Sequence, residues 1–148
     1  MLVKLEIINL QKHYPIEKNK IKKLVHKVLK LEKTDAELNL VFVDNKYIKE
    51  INKTFLRHNY ATDVLSFAYH EHPRKNTVTG EILISVEMAV LQAHQYGCTV
   101  EGEIALYLVH GLLHLLGYDD RKKEDAKKMH QREDDVLAKF GYCVPIPT

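Results

Sequence analysis

One apolar stretch constrains the fold of this chain more than any other feature. It runs from Ile104 to Leu116 (IALYLVHGLLHLL) and is apolar on nearly every side of the helix that it predicts. A helix that is apolar all round has to be buried by other elements. The stretch is also shorter than the roughly 20 residues that a membrane span needs. We therefore expect a central core helix that the rest of the chain covers.

Shorter patterns predict the covering elements and their order, β-α-β-α-β-β-α-α-α. Alternating or continuous apolar runs favour strands, and apolar residues spaced three and four apart favour helices. The pattern predicts an α/β (α+β) fold: one compact domain over residues 1–148, in which a small mixed four-stranded sheet packs with about five helices. The predicted strands are Leu2–Asn9, Leu38–Val43, Val64–Tyr69 and Glu81–Ser85. The predicted helices begin at Pro15, Asp44 or Asn45, Ser85, Thr99 and Arg121, and a polar loop spans His70–Thr79.

The composition limits the class of protein but does not indicate a function. Apolar residues make up 45% and charged residues 28% of the chain, as expected for a core with a solvated surface. The net charge of +2 is too small to indicate nucleic-acid binding by itself, and two lysine-rich helical segments are explained by solvated faces. The first residues alternate too regularly and carry charge too early for a signal peptide. We expect a soluble cytoplasmic protein without a membrane partner.

The core helix carries two histidines, His110 and His114, spaced four residues apart. This spacing places both imidazoles on one helix face, with Cβ atoms about 5–6 Å apart. An unpartnered polar group costs about 1–3 kcal/mol in an apolar core, and one shared metal ion would satisfy both rings. Gly117 permits a left-handed helix end that turns Asp120 back toward them. Two histidines and one carboxylate form a catalytic zinc set, so we expect one Zn²⁺ per chain, used for hydrolysis.

Two other interpretations of this segment remain open. Either Asp119 or Asp120 could be the N-cap of the helix that follows. The spacing also matches the metzincin peptidase pattern H-E-x-x-H-x-x-G-x-x-H, with Gly111 and Asp120 at the positions of the Glu and the third His. Gly111 has no side chain to accept a proton, and a peptidase of that mechanism is therefore disfavoured.

Four matches, in chain order, connect the sequence with a known family. Arg57 follows Asn52 in a helix-loop segment, TDVLSF runs from Thr62 to Phe67, Gly80-Glu81 opens a strand, and HGLLHLLGYDD runs from His110 to Asp120. This set resembles the YbeY-type bacterial endoribonucleases, also called rRNA maturation factors. Their signature is close to H-G-x-L-H-L-x-G-Y-D-H, and an Asp is commoner than Glu81. At the third ligand position this chain therefore has Asp120 where the family has a histidine.

The resemblance implies a compact, zinc-hydrolase-like domain and a zinc-dependent, single-strand-specific endoribonuclease. Its implied role is 16S rRNA 3′-end maturation and ribosome quality control, with the 16S rRNA precursor, the small ribosomal subunit and its proteins as partners. It also implies metal ligands at His110, His114 and Asp120, and catalytic roles for Arg57 and His114, with Arg57 in a positively charged groove contacting the phosphate. The alternatives are a non-catalytic ribosome-assembly module with a bound metal, or another metallohydrolase.

Further residues flank the predicted site. Arg74 and Lys75 could line the RNA path, or they could be ordinary loop residues. Ser66 could support the groove through a hydrogen bond. Glu81 could be an acid that orients a ligand or a water molecule, or simply a strand residue.

Overall fold

The structure contains one mixed sheet with three parallel strands and one antiparallel edge strand. The computed structural model describes residues 2–69 and 76–142. Its strands are β1 (Val3–Asn9), β2 (Asp35–Val43), β3 (Val64–Ala68) and β4 (Thr77–Ser85), in the sheet order β1-β2-β4-β3. β1 pairs in parallel with β2 and β2 with β4, whereas β3 runs antiparallel to β4. β3 is therefore the antiparallel edge of the sheet, and the candidate site described below lies beside this strand.

Five helices cover the sheet in the described part of the chain. They are α1 (Lys18–Glu32), α2 (Asn45–Leu56), α3 (Val86–Tyr96), α4 (Val100–Leu115) and α5 (Lys123–Lys139). Alternate residues of each strand face opposite sides. On one side, Leu40, Phe42 and Ile82 join the large core that α1, α3, α4 and α5 share. On the other side, Leu83 joins the smaller core against α2.

α4 is the central helix that the apolar stretch predicts. It contacts α1, α3 and α5 as well as strands β3 and β4. Its first turn is fixed by Thr99, whose hydroxyl accepts a hydrogen bond from the Gly102 amide at 3.0 Å. Leu108 and Leu112 on this helix are completely buried. Among the described residues, no helix combines the length and apolar character that crossing a membrane requires.

The predicted fold class and element order are confirmed, although α1 begins at Lys18 rather than Pro15 and two strands begin earlier than predicted. β2 begins at Asp35 rather than Leu38, and β4 begins at Thr77 rather than Glu81. These additional residues pair with each other, Asp35 with Thr77 and Ala36 with Val78. The predicted loop His70–Thr79 was therefore too long, because its last residues find hydrogen-bond partners in a strand distant in sequence. Such pairing overrides the local polar composition.

Candidate metal centre

His110 and His114 face each other on the last two turns of α4. Their ring centroids lie 4.6 Å apart, and the ring planes meet at 86°. The two Nε2 atoms are 3.1 Å apart. The helical spacing that the sequence offered thus brings together the ring nitrogens themselves. The side chains remain partly accessible, at 25% for His110 and 32% for His114.

A turn after α4 returns Asp120 to the two rings. Gly117 adopts a φ of 102°, which favours glycine. The amide of Tyr118 donates to the Leu113 carbonyl at 3.0 Å and closes the helix end. Asp120 Oδ2 then lies 3.5 Å from His114 Nε2 and 3.8 Å from His110 Nε2. The three side chains offer ligand atoms that all lie within 4.8 Å of one another.

Neither aspartate of this turn caps α5. The N-cap position of that helix is Lys122, and no side chain caps it. Asp119 instead accepts hydrogen bonds from the backbone amide of Arg121 at 2.9 Å and from its guanidinium at 2.8 Å. These bonds to Arg121 lower the pKa of Asp119 to about 2. The capping interpretation of Asp119 and Asp120 is therefore wrong, and the Asp120 carboxylate faces the histidines.

The distances in this group fit a divalent metal ion. With metal–ligand bonds of about 2.0–2.1 Å, neighbouring ligand atoms of a tetrahedral zinc site lie about 3.3 Å apart. The separations of 3.1, 3.5 and 3.8 Å bracket that value. Two imidazole nitrogens and one carboxylate oxygen are also a donor set that zinc accepts. Among the described residues, these three side chains are the only candidate ligands, and a zinc ion held by them would keep a further position open, as in catalytic rather than structural zinc sites.

The other nitrogen of each imidazole is held by a different acceptor. His110 Nδ1 lies 2.8 Å from Oε2 of Glu133, a carboxylate that is only 2% exposed. His114 Nδ1 lies 3.2 Å from the backbone oxygen of Tyr118. Acceptors at both Nδ1 atoms favour the tautomer that keeps the proton there and leaves the Nε2 lone pair free for a metal. Burial lowers the pKa of His110, but its hydrogen bond with Glu133 and the charge of Glu133 outweigh this, so the pKa is raised.

The sequence analysis did not identify Glu133. This residue also accepts a hydrogen bond from His130 Nδ1 at 3.0 Å, so its carboxylate joins two histidines. A signal was present in the sequence: Glu133 shares the buried stripe of α5 with Met129, Val136 and Leu137. An acidic residue on an otherwise apolar stripe needs a buried partner.

Gly111 allows α4 to approach the sheet next to His110. A Cβ atom there would lie 2.9 Å from Ser66 Oγ and 3.0 Å from the nearest methyl groups of Ile82 and Val64. The Ser66 hydroxyl donates to the Gly111 carbonyl at 2.9 Å. Ser66 therefore anchors β3 against the helix that carries the histidines. The same crowding leaves no room for the glutamate that a metzincin has at this position.

Two other predicted site residues, Arg57 and Glu81, are not part of this group. Arg57 is exposed at the C-cap of α2. Among the described residues, it makes no hydrogen bond or ion pair with the three candidate ligands. Glu81 pairs with Phe67 on the sheet face that α2 covers, so the structure does not bring it to the histidines. The buried acid that contacts a candidate ligand in this structure is Glu133. Arg74 and Lys75 lie outside the described residues.

Comparisons with known proteins agree with the motif matches. The profile of the family described as "Endoribonuclease YbeY" matches residues 6–141. A protein of that name from Fusobacterium nucleatum is 40% identical, covering 85% of this chain and 83% of the relative. Another from Desulforamulus reducens is 39% identical, covering 90% and 94% respectively. The solution structure of a Thermotoga maritima protein superposes with a TM-score of 0.65 at 27% identity, covering 93% of this chain and 91% of that one.

Proposed function

Since this chain belongs to the YbeY family of endoribonucleases, we propose that it hydrolyses single-stranded RNA at a zinc ion held by His110, His114 and Asp120. The observation that carries the proposal is the convergence of these three side chains within 4.8 Å. The proposed substrate is the precursor of 16S rRNA, cleaved during 3′-end maturation and ribosome quality control. The proposed partners are accordingly the small ribosomal subunit and its proteins, and the proposed location is the cytoplasm.

The residues of the chain would have different roles in such a site. The two Nε2 atoms and the Asp120 carboxylate would hold the ion, while Glu133 and the Tyr118 carbonyl keep the imidazoles in the required tautomer. A bound zinc ion supplies activation of water near neutral pH and polarisation of a phosphoryl oxygen. Ser66 keeps the helix and the edge strand together beside the reacting phosphate. The whole chain, 1–148, acts as one catalytic domain in this proposal.

Arg57 is proposed to bind the scissile phosphate. Its planar guanidinium can form two hydrogen bonds with a phosphate and stabilise the charge that develops in the transition state. Its backbone lies in the left-handed region, with a φ of 59°, and its amide donates to the Asn52 carbonyl. The side chain thus projects from a fixed helix end. Arg74 and Lys75 are proposed as further phosphate contacts along the RNA.

A non-catalytic assembly module with a bound metal is the competing proposal. A cleavage assay of a labelled single-stranded RNA distinguishes the catalytic proposal from the assembly-module proposal. The assay is run with the zinc-loaded wild type, His114→Ala, Arg57→Ala and Arg57→Lys. Arg57→Ala should retain zinc and fold but lose about 10²–10³ in rate, the usual cost of one transition-state donor. Arg57→Lys should recover only part of the rate. Lys22→Ala, on the exposed face of α1, is the control for loss of one positive charge.

If the wild type, His114→Ala and Arg57→Ala all cleave equally, the activity belongs to a contaminating nuclease and the catalytic proposal fails. If none cleaves the labelled RNA or a 16S precursor while the wild type binds zinc, the assembly module becomes the better account. A casein assay with the same zinc-loaded protein should show no proteolysis, because position 111 offers neither a carboxylate nor room for one.

A further inference from the structure

The end of α2 exposes aromatic rings that the catalytic proposal does not use. Phe55 is 65% exposed and Tyr60 is 55% exposed. With Arg57 and His58 they form a surface that we name the α2 tip, defined by Phe55, Arg57, His58 and Tyr60. Large exposed apolar side chains need an explanation when they cluster. Neither α1 nor α5 exposes one within its described length, although both helices are rich in lysine.

The α2 tip is a defined surface rather than a set of loose side chains. The Phe55 ring meets Phe67 of β3 edge-on, with centroids 6.1 Å apart, and the His58 and Tyr60 rings lie 5.3 Å apart. Asn52, which is only 2% exposed, fixes the position of this segment through two hydrogen bonds. Its carbonyl accepts from the His58 amide at 3.2 Å, and its side-chain amide donates to the Tyr60 carbonyl at 3.0 Å.

The charge of this segment suits a polyanion. From Ile51 to Thr62 the chain has no acidic residue and carries Lys53 and Arg57. The segment also leads directly into β3, an edge strand whose Ser66 bonds to the Gly111 carbonyl next to His110 on one face and whose Phe67 contacts Phe55 on the other, so this edge lies between the α2 tip and the histidines. Rings and cations at one surface match the alternation of bases and phosphates in a nucleic-acid strand.

We propose that the α2 tip is a base-stacking subsite, in which Phe55 and Tyr60 take unpaired bases that flank the phosphate bound by Arg57. The inference rests on the proposed function and deepens it, because it gives a physical reason for preferring single strands. A duplex hides its base faces in the helical stack, whereas a single strand presents them. The occupant is therefore single-stranded RNA, recognised through its bases as well as its charge.

The test uses zinc-loaded enzyme and an adenine-rich 12-mer RNA substrate. Phe55→Ala and Tyr60→Ala should each raise KM roughly 5- to 150-fold, as expected for the loss of one stacked base, with a smaller change in kcat. Tyr60→Phe keeps the ring and should recover most of the affinity that Tyr60→Ala loses. The matched control is Tyr96→Ala, since Tyr96 is an exposed tyrosine (58%) on α3, outside the α2 tip. Circular dichroism confirms that each variant is folded.

A second arm separates bases from charge. A 12-mer of single-stranded DNA carrying adenines should inhibit the wild type at least 5-fold more strongly than an abasic strand of equal length and charge. This difference should shrink in Tyr60→Ala and in Phe55→Ala, each of which keeps one ring, and should vanish when both rings are replaced. If the wild type cleaves RNA but both variants match Tyr96→Ala, the subsite is refuted and the proposed function stands. Equal inhibition of the wild type by both strands also refutes it. A wild type that neither cleaves nor binds RNA overturns both proposals.

Discussion

Replacing Glu133 should weaken zinc binding although this residue is not a candidate ligand. Its carboxylate is 2% exposed and lies 2.8 Å from His110 Nδ1. A hydrogen bond to a charged acceptor contributes about 1.5–3 kcal/mol, against about 0.5–1.5 kcal/mol for a neutral one. Glu133→Gln keeps an oxygen acceptor and loses the charge, so it should cost about 1.4 kcal/mol, or roughly 10-fold in affinity. Glu133→Ala removes the acceptor and should cost up to about 100-fold.

The assay is titration of the metal-free protein with zinc against a chromophoric chelator at pH 7.5. Asp134→Asn is the matched control, because it removes a neighbouring, exposed negative charge on the same helix. Nitrogen chemical shifts of the His110 ring provide a second readout. In the wild type they should report a proton on Nδ1, and this preference should weaken in Glu133→Ala. If Glu133→Ala and Asp134→Asn bind zinc equally well, the tautomer argument is refuted.

Three further changes test other parts of the structure. Gly111→Ala should lower the free energy of unfolding by about 1–3 kcal/mol in urea denaturation, because its Cβ would meet Ser66 Oγ at 2.9 Å; wild-type stability would contradict the close packing. Burial, assisted by the charge of Asp63, raises the pKa of Glu103. Ionisation of Glu103 therefore opposes folding above its raised pKa. Glu103→Gln should increase the Tm at pH 7.5 and lose this advantage near pH 4.5, and an equal gain in Tm at both pH values would refute this explanation. Asp120→Ala and Asp120→Ser should both weaken zinc binding, whereas Asp120→His should restore or tighten it; equal affinities in a zinc titration would remove Asp120 from the site.

The elements that the sequence predicted well are those whose ends depend on local chemistry. For α3, Ser85 was predicted as the start, and Gly97 is the residue type that favours a left-handed helix end. The Ser85 hydroxyl does accept from the Met88 amide, and Gly97 has the left-handed φ of 69°. The start of β4 depends instead on β2, which lies about forty residues away in sequence. Local composition carries no information about that partner, and the polar residues at 77–79 were therefore assigned to a loop.

In the candidate site, too, the features that depend on local sequence were predicted and those that depend on a distant segment were not. The facing of His110 and His114 follows from helix geometry, and Gly117 provides the turn that returns Asp120. The hydrogen bond that orients His110 could not be predicted from local sequence, because its partner, Glu133, lies on a different helix. Glu81 was considered as an orienting acid because it belongs to the Gly80-Glu81 match, but strand alternation puts it on the other face of the sheet. Alternation of β4 with the buried Ile82 and Ile84 would have corrected that choice before the structure was known.

The most direct test of the central claim is the zinc content of the protein, purified without added metal and measured by elemental analysis. The claim is that His110, His114 and Asp120 hold one metal ion on which the hydrolytic activity depends. The wild type and the exposed-histidine control His94→Ala should contain about one zinc ion per chain, and His110→Ala and His114→Ala should contain almost none. Full zinc content in both of these variants, or none in a folded wild type that cleaves RNA in the presence of chelator, would contradict the account.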